Sequence, residues 1–437
     1  NVAELKPGRY DVKAELRQGD KVVDQGAAFF RVVDAKPPAQ KGRVALNLPR
    51  GAPLKGGVWP VSAGVPFPKG ALWSEKNVRV VKADGAPVPC QTTVRSRWGC
   101  APETSIRWLG VDFQAEGAPA WWPERKGTRY YLEFGPAVAA PAAPVKVRVE
   151  ETPEGLAVDT GALQFLVRRK GFNLLDRVKL GGRDIAPSDP RAGLYLEDHE
   201  GSVYRAANDP NILLSVEERG DLRAVIRAEG WFVKDGSAGE KLNYTLPTDK
   251  LCRFITRIEA CAGRPWVRVL NTWVLTFDSH TVRLRDVGWT LPIEGVTRAE
   301  FGVEGGDPLA RPVGEKGIYL IQHTPDAFAL EDGAGQGLAK GARSAGWALA
   351  SGRHAILGVS HRETWQRFPK EFEVLPNGLR LHIWPAHGRV NPEIDQYRHE
   401  QINRLWYAHQ GRELNLAMPW QYFFATAQIT GNPSTGI

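Results

Sequence analysis

The 437-residue sequence has little cysteine, a single methionine and no long apolar run. Its four cysteines, Cys90, Cys100, Cys252 and Cys261, have spacings that match no zinc-ligand pattern. Cys252 and Cys261 stand at opposite ends of one predicted strand, too far apart for a disulfide, while a Cys90–Cys100 bridge and free core thiols both stay open. Because no run of about 18 apolar residues exists, no membrane span is predicted.

Clustered positive charge is also missing, although the net charge is +8 and the isoelectric point is about 9.3. The arginines and lysines stand singly beside acidic neighbours, whereas nucleic-acid binding shows as clustering. We therefore expect no nucleic-acid partner and leave open an acidic sugar polymer or a small anion. No P-loop, nucleophile elbow or dinucleotide fingerprint occurs.

Neither end of the sequence carries a targeting signal: it opens on NVAELKPGRY, without an initiator methionine or an apolar leader, and closes on GNPSTGI. We expect a chain that is truncated at both ends. For the full-length protein we expect an extracellular or periplasmic location.

The glycine and proline content, 46 and 32 residues, is typical of a mainly β protein with many turns. Residues 1–35 alternate as the last strands of an Ig-like β-sandwich, and DAKPPAQKG then reads as a linker. Short strands over 43–136 predict a small β-barrel, followed by the linker AVAAPAAPVK. Longer strands over 147–385 predict a central β-sandwich of the large kind, in which CAGRP is the turn between two antiparallel strands.

The pattern changes at the carboxyl end. In NPEIDQYRHEQINRLWYAHQG, Asn391 is suited to the N-cap, Pro392 to the first helical position and Gly411 to the C-terminal stop. We expect residues 390–437 to begin a helical domain that is mostly absent.

Several phrases resemble the exo-rhamnogalacturonan lyase-like proteins, the PcRGLX/YetA-like group. They are GVPFPKGAL at 64–72, VPCQTTV with SIRWLGVDF in 88–113, ETWQRFPKEFEV with LRLHIWP in 363–385, and RLWYAHQGRELNL at 404–416. The resemblance covers about 43–437. It implies a RIFT-like small barrel, a central β-sandwich of the supersandwich type and a C-terminal α/α toroid, here reduced to its start. It also implies a polysaccharide lyase that cleaves an acidic, pectin-type polymer of the rhamnogalacturonan class.

A lyase that acts on a uronic acid needs a cation against the carboxylate, a base near C5 and an acid at the leaving O4. Seven of the nine histidines follow residue 320, so we expect the chemistry at this end. In LRLHIWP, Leu379, Leu381 and Ile383 point to one face of a strand. The other face carries Arg380 as an anion partner, His382 as donor or base, and Trp384 as a sugar-stacking platform.

Two further segments supply candidates. His361 and Arg362 follow the strand HAILGVS, at a position where rigid scaffolds present functional side chains. Both are catalytic candidates: Arg362 or Arg380 would hold the uronate, and His361 or His382 would exchange protons. On the predicted terminal helix, Tyr407 and His409 are catalytic candidates, and Arg404 and Arg412 are substrate-binding candidates. For every one of these the alternative is a structural role, above all for a histidine satisfied inside a core.

We predict no cofactor and no metal, and the acidic phrase EDHE at 197–200 leaves a divalent cation as an alternative to a solvated turn. A non-catalytic carbohydrate-binding or structural module of a secreted or cell-surface protein is the competing function. A glycoside hydrolase ranks last, because no strand offers an obvious pair of carboxylates.

Overall fold

A computed structural model describes residues 5, 8–32, 40–48, 58–99, 104–116, 128–237, 249–277, 282, 284–387 and 425–433. The chain divides into two compact units, Asn1–Ala143 and Pro144–Ile437. Every strand pairing described is antiparallel, and one 3₁₀ turn, Ala206–Asn208, is the only helical element among these residues. The predicted mainly β class is therefore confirmed. No helix in this part of the chain is long and apolar enough to cross a membrane.

The first unit begins with a two-stranded hairpin. Strands β1 (Gly8–Gln18) and β2 (Lys21–Val32) pair across a turn in which Gly19 takes a positive φ of 63°. Tyr10 stacks on Phe30 with ring centroids 5.4 Å apart. The assignment of this hairpin to an Ig-like sandwich stays a prediction.

Two small sheets make up the rest of the first unit. Their strands are β3 (Gly42–Leu48), β4 (Val58–Pro66), β5 (Val78–Lys82), β6 (Pro87–Val88), β7 (Cys90–Arg97), β8 (Ile106–Glu116) and β9 (Thr128–Phe134). One sheet has the order β3-β9-β5-β6 and the other β4-β8-β7. Val80 and Leu132 of the first sheet and Leu109 and Phe113 of the second belong to one buried apolar cluster. The RIFT-like barrel predicted over 43–136 stays a prediction.

The second unit opens with a five-stranded meander. It contains β10 (Arg148–Thr152), β11 (Gly155–Asp159), β12 (Leu163–Arg168), β13 (Asp176–Leu180) and β14 (Arg183–Ala186), paired in sequence order.

The remaining strands form one connected set of pairings. They are β15 (Gly193–Asp198), β16 (Val203–Arg205), β17 (Leu213–Glu218), β18 (Arg223–Lys234), β19 (Lys250–Cys261), β20 (Trp266–Leu275), β21 (Leu284–Pro292), β22 (Arg298–Val303), β23 (Leu309–Pro312), β24 (Ile318–Thr324), β25 (Ala327–Asp332), β26 (Gly337–Gly341), β27 (Ser344–Ser351), β28 (Ala355–His361), β29 (Lys370–Leu375), β30 (Gly378–Trp384) and β31 (Ala425–Pro433).

These pairings make two runs of strands. The first run is β23-β22-β27-β28-β31-β20-β19-β18-β17, and the second is β15-β21-β30-β29-β24-β25-β26. Strand β16 pairs with both β15 and β18 and so links the runs. Strands β27 and β28 contact β29 and β30, which brings parts of the two runs face to face.

The cysteines take the free form where the structure describes them. Cys90, Cys252 and Cys261 are free thiols, and Cys252 and Cys261 lie near the two ends of β19, as predicted. Cys100 lies outside the described residues, as does the predicted helix over 391–411. Residues 425–433, which we predicted to belong to a helical domain, form strand β31 instead.

Candidate functional site

The site is built around β30, where side chains alternate between two environments. Leu379, Leu381 and Ile383 are buried in the apolar core. Arg380 and Trp384 are partly buried, while His382 between them is only 2% exposed. We call Arg380, His382 and Trp384 the polar row of β30. Its middle residue, His382, is therefore buried, whereas Arg380 and Trp384 at its two ends are partly accessible to solvent.

His382 lies among three carboxylates and a phenol. Its Nδ1 lies 3.0 Å from both carboxylate oxygens of Asp286 and 3.0 Å from the Tyr195 hydroxyl. On the other side of the ring, Nε2 lies 3.3 Å from Glu373 Oε2 and 3.5 Å from Glu371 Oε1. We call these five residues the His382 cluster.

Strand register explains how the cluster forms. Tyr195 on β15 is opposite Gly288 on β21, Gly288 is opposite His382 on β30, and His382 is opposite Glu371 on β29. A Cβ at position 288 would lie 2.9 Å from the Tyr195 hydroxyl oxygen. The missing side chain therefore lets the tyrosine ring extend across β21 to the imidazole.

The charges within the cluster hold His382 in its protonated form. Burial alone would lower the pKa of His382, but the negative charges of Asp286 and Glu371 and the hydrogen bonds to Asp286 and Glu373 raise this pKa well above its usual value. Burial likewise acts to raise the pKa of Glu373, yet the bond from His382 and the nearby cations lower it to about 2. Arg380 adds a second cation, with Nη1 3.2 Å from Glu373 Oε2.

His387 is the imidazole of this face that reaches solvent. Its side chain is 43% exposed, its Nδ1 lies 2.8 Å from Glu371 Oε1, and its ring stacks on Tyr319 at a centroid distance of 4.5 Å. The hydrogen bond and charge of Glu371 raise the pKa of His387. Because Glu371 is fully buried, His387 is a solvent-facing proton donor that a protein carboxylate orients from behind.

The sequence candidates Arg380, His382 and Trp384 thus come together on β30, and Arg380 and His382 share Glu373 as a partner. His361 lies elsewhere, at the end of β28. It is buried, its Nδ1 lies 3.3 Å from the Thr364 hydroxyl, and burial beside Lys370 and Arg367 lowers its pKa well below the usual value. His361 is therefore an interior group whose surroundings favour the neutral imidazole.

Lys370 shares that interior. Its ammonium group donates to the backbone carbonyls of Arg367 and Pro369, and burial lowers its pKa to about 7. Arg362, by contrast, has a side chain that is 55% exposed and lies 3.4 Å from Glu363. The roles proposed for His361 and Arg362 stay predictions, and Tyr407, His409, Arg404 and Arg412 lie outside the described residues.

The acidic residues of the EDHE segment form hydrogen bonds and an ion pair within the protein. Asp198 accepts hydrogen bonds from the backbone amides of Glu200 and Ser202, and Glu197 pairs with Arg285 at 3.2 Å. Across the described ranges no group of three or more histidine, cysteine, aspartate and glutamate side chains has the geometry of a metal site.

Sequence reasoning missed the carboxylates. We expected no strand to offer an obvious acidic pair, and this was wrong: Glu371 and Glu373 stand two residues apart on β29 and face β30 together. The phrase KEFEV contains that signal, because residues i and i+2 of a strand share a face. Asp286 and Tyr195 gave no such signal, since their proximity to His382 depends on pairings between distant strands.

The depressed pKa of Glu373 gives a testable pH dependence. The carboxylate contributes stability above its usual pKa of 4.5, and this contribution is lost as the pH falls toward 2. We expect Glu373→Gln to lower the free energy of unfolding by about 2 kcal/mol at neutral pH, and by progressively less as the pH falls below 4.5. Urea denaturation of both proteins across this range measures the difference.

The matched control is Glu304→Gln, because Glu304 is an exposed carboxylate that pairs with Arg343 at the surface. Its effect should be small at every pH. A constant difference between Glu373→Gln and the parent protein from neutral pH to pH 3 would contradict the assignment.

One segment of the chain is similar to a known protein family. Residues 147–296 match the family model described as the PcRGLX-like protein central beta sandwich domain. The match supports the resemblance seen in the sequence and indicates a rhamnogalacturonan lyase-related module over this segment. The matched segment contains Tyr195, Asp286 and Gly288 and ends before Glu371 and His382. No curated protein matches the chain.

Comparison with solved structures gives two matches from Enterococcus faecalis. One is described as a protein in the Glycosyl Hydrolase Family 38, with 11% identity, a TM-score of 0.50, and coverage of 91% of this chain and 45% of that one. The other is an alpha-mannosidase, with 10% identity, a TM-score of 0.45, and coverage of 86% and 42%. This chain spans less than half the length of either structure, and at such identities the first likeness concerns the fold alone.

Proposed function

We propose that this chain is part of a polysaccharide lyase that binds an acidic, pectin-type polymer of the rhamnogalacturonan class and cleaves it by β-elimination at a uronic acid. The observation that carries the proposal is the solvent-facing His387 with the buried Glu371 behind it, 2.8 Å away. The family match over 147–296 supports the substrate class.

The reaction assigns a role to each end of the polar row. In β-elimination a base removes the C5 proton, the electron pair forms the C4–C5 double bond, and the C4–O4 bond breaks with protonation of O4. His387, whose raised pKa favours the imidazolium, is suited to protonate the leaving O4. Arg380 is suited to bind the carboxylate of a uronate residue of the polymer, and Trp384 to orient a sugar ring. For the base we retain Tyr407 or His409 as proposals.

The direct test is to incubate the protein with rhamnogalacturonan and to follow the ultraviolet absorbance of the unsaturated uronate product. We expect absorbance to rise with this polymer and not with a neutral galactan, which has no carboxylate to acidify the C5 proton. Sugar binding without any rise in absorbance would refute catalysis by this chain. Since such a polymer is too large to enter a cell intact, we also propose that the full-length protein works outside the cytoplasm, at the cell exterior or in the periplasm.

A second candidate function, a non-catalytic carbohydrate-binding module, is favoured by two exposed tryptophans of the first unit. Trp98 and Trp108 are each 42% exposed, next to β7 and on β8. The Trp98 indole donates to the Phe67 carbonyl at 2.9 Å, and Arg107 lies over its ring at 5.0 Å. Aromatic faces held in this way are suited to stack on sugars. This candidate predicts equal binding of neutral and acidic polymers and no unsaturated product.

A further inference from the structure

A second feature of the same sheet face is a cavity of about 200 Å³ beside Arg380. The segment before β15, strands β16, β21 and β30, and the β29–β30 turn contribute to its walls. Its charged lining residues are Asp189, Arg191, Arg205 and Arg380. Three arginines and one aspartate give the lining a formal charge of +2, which is suited to an anion.

Strand register places this cavity directly beside the His382 cluster. Thr290 on β21 is opposite both Gly193 on β15 and Arg380 on β30. Arg205 on β16 is opposite Tyr195, the cluster residue that contacts His382. The arginines of the cavity and the acid–imidazole row are therefore neighbours on one face of one sheet.

Two of the three guanidinium groups, those of Arg205 and Arg380, are held in place by contacts within the protein. Arg205 lies 3.1 Å from Asp235 through Nε and donates from Nη1 to the Arg191 carbonyl at 2.9 Å. Arg380 is held by Glu373 through Nη1. The carboxylate of Asp189, the acid in the lining, accepts a hydrogen bond from the backbone amide of Arg191 at 2.8 Å. The charge of Asp189 is therefore directed toward the turn that contains it.

One donor in this arrangement has no acceptor. The Nε of Arg380 is buried and has no hydrogen-bond partner among the described residues. An unsatisfied buried donor is unfavourable, and a planar guanidinium presents its donors in a fork that matches the two oxygens of a carboxylate. Arg191 is exposed and adds a further positive charge at the cavity wall.

We propose that this cavity is the carboxylate subsite for a uronic acid residue, with Arg380 and Arg191 as the anion-binding groups and Arg205 as the group that positions Arg191. The inference rests on the proposed function, because it names where the acidic polymer would place a carboxylate. Through Glu373 the subsite is joined to His382, and through Glu371 to the proton donor His387.

The test measures binding of D-galacturonate, which lacks a glycosidic leaving group and so separates binding from elimination. By titration calorimetry we expect galacturonate to bind and D-galactose, the neutral ring, not to bind. Arg191→Gln should weaken galacturonate binding roughly tenfold, since it removes one charge-assisted contact. Arg380→Lys should weaken it several-fold, because a lysine retains the charge but not the fork.

The matched control is Arg298→Gln, which removes an exposed arginine of β22 that does not line this cavity. It should bind galacturonate as the parent protein does. Unchanged affinity in Arg191→Gln, with an unchanged melting temperature, would overturn the proposal, as would sulfate binding as tightly as galacturonate. If galacturonate binding depends on Arg191 but the polymer gives no unsaturated product, the subsite stands and the elimination reaction falls. If product forms equally fast in Arg191→Gln, the reaction stands and the subsite falls.

Discussion

Replacement of His382 by alanine is expected to lower the free energy of unfolding by about 3–5 kcal/mol, because it leaves buried carboxylates without their central cation. Asp286, Glu371 and Glu373 all lie within 3.5 Å of this imidazole and are almost wholly inaccessible to water. Urea denaturation at neutral pH measures the loss.

His354→Ala is the matched control, since His354 is exposed in the turn before β28. It should change the free energy of unfolding by less than about 0.5 kcal/mol, as surface substitutions usually do. A partial rescue is also expected: adding Asp286→Asn to His382→Ala should recover stability, because it removes one of the unpaired charges. Equal losses for His382→Ala and His354→Ala would show that the cluster does not depend on its imidazolium.

Replacement of His387 by glutamine is expected to slow the elimination reaction by about 10²–10⁴-fold, the usual contribution of a positioned general acid. Folding should be little affected, because the His387 side chain is 43% exposed and its partner Glu371 keeps a contact with His382. Initial rates of unsaturated product formation, together with denaturation curves, separate the two effects.

The substitution Glu371→Gln tests whether Glu371 raises the pKa of His387 and so supports the role of His387 as the general acid. Glu371 is the largest cause of the raised pKa of His387, so its neutralisation should move the high-pH limb of the rate profile to lower pH. Under the proposed function we expect the parent protein to lose activity as the pH rises through the raised pKa of His387, because the imidazolium donor disappears. His354→Gln should keep both the rate and the profile of the parent. Full activity of His387→Gln would exclude His387 as the acid and return the role to the candidates outside the described residues.

The alternation of β30 was predictable from its sequence, and so was the turn CAGRP. Strands β19 and β20 pair on either side of that turn, with Cys252 opposite Leu275. Such features are local, since a period of two and a glycine-containing turn act within a few residues. The same locality explains why the mainly β class could be recognised, while the joining of strands into two runs could not.

The environment of His382 was beyond sequence reasoning for a physical reason. A period of two shows that Arg380, His382 and Trp384 share a face, but not what covers it. The side chains that surround His382 are a tyrosine from β15, an aspartate from β21 and two glutamates from β29. Of these strands, only β29 is adjacent to β30 in the sequence. The two glutamates were therefore the only neighbours of His382 that the sequence could have predicted. His387 was hidden because it follows the strand, where periodicity no longer applies.

Strand β31 lies between β20 and β28 and pairs with both, although it comes far later in the chain. A ribosome therefore releases the two flanking strands long before the strand that joins them. During that interval the edges of β20 and β28 present open rows of amide and carbonyl groups, the arrangement that recruits foreign strands. Biosynthesis of this protein thus includes a period in which both edges are open to pairing with other chains.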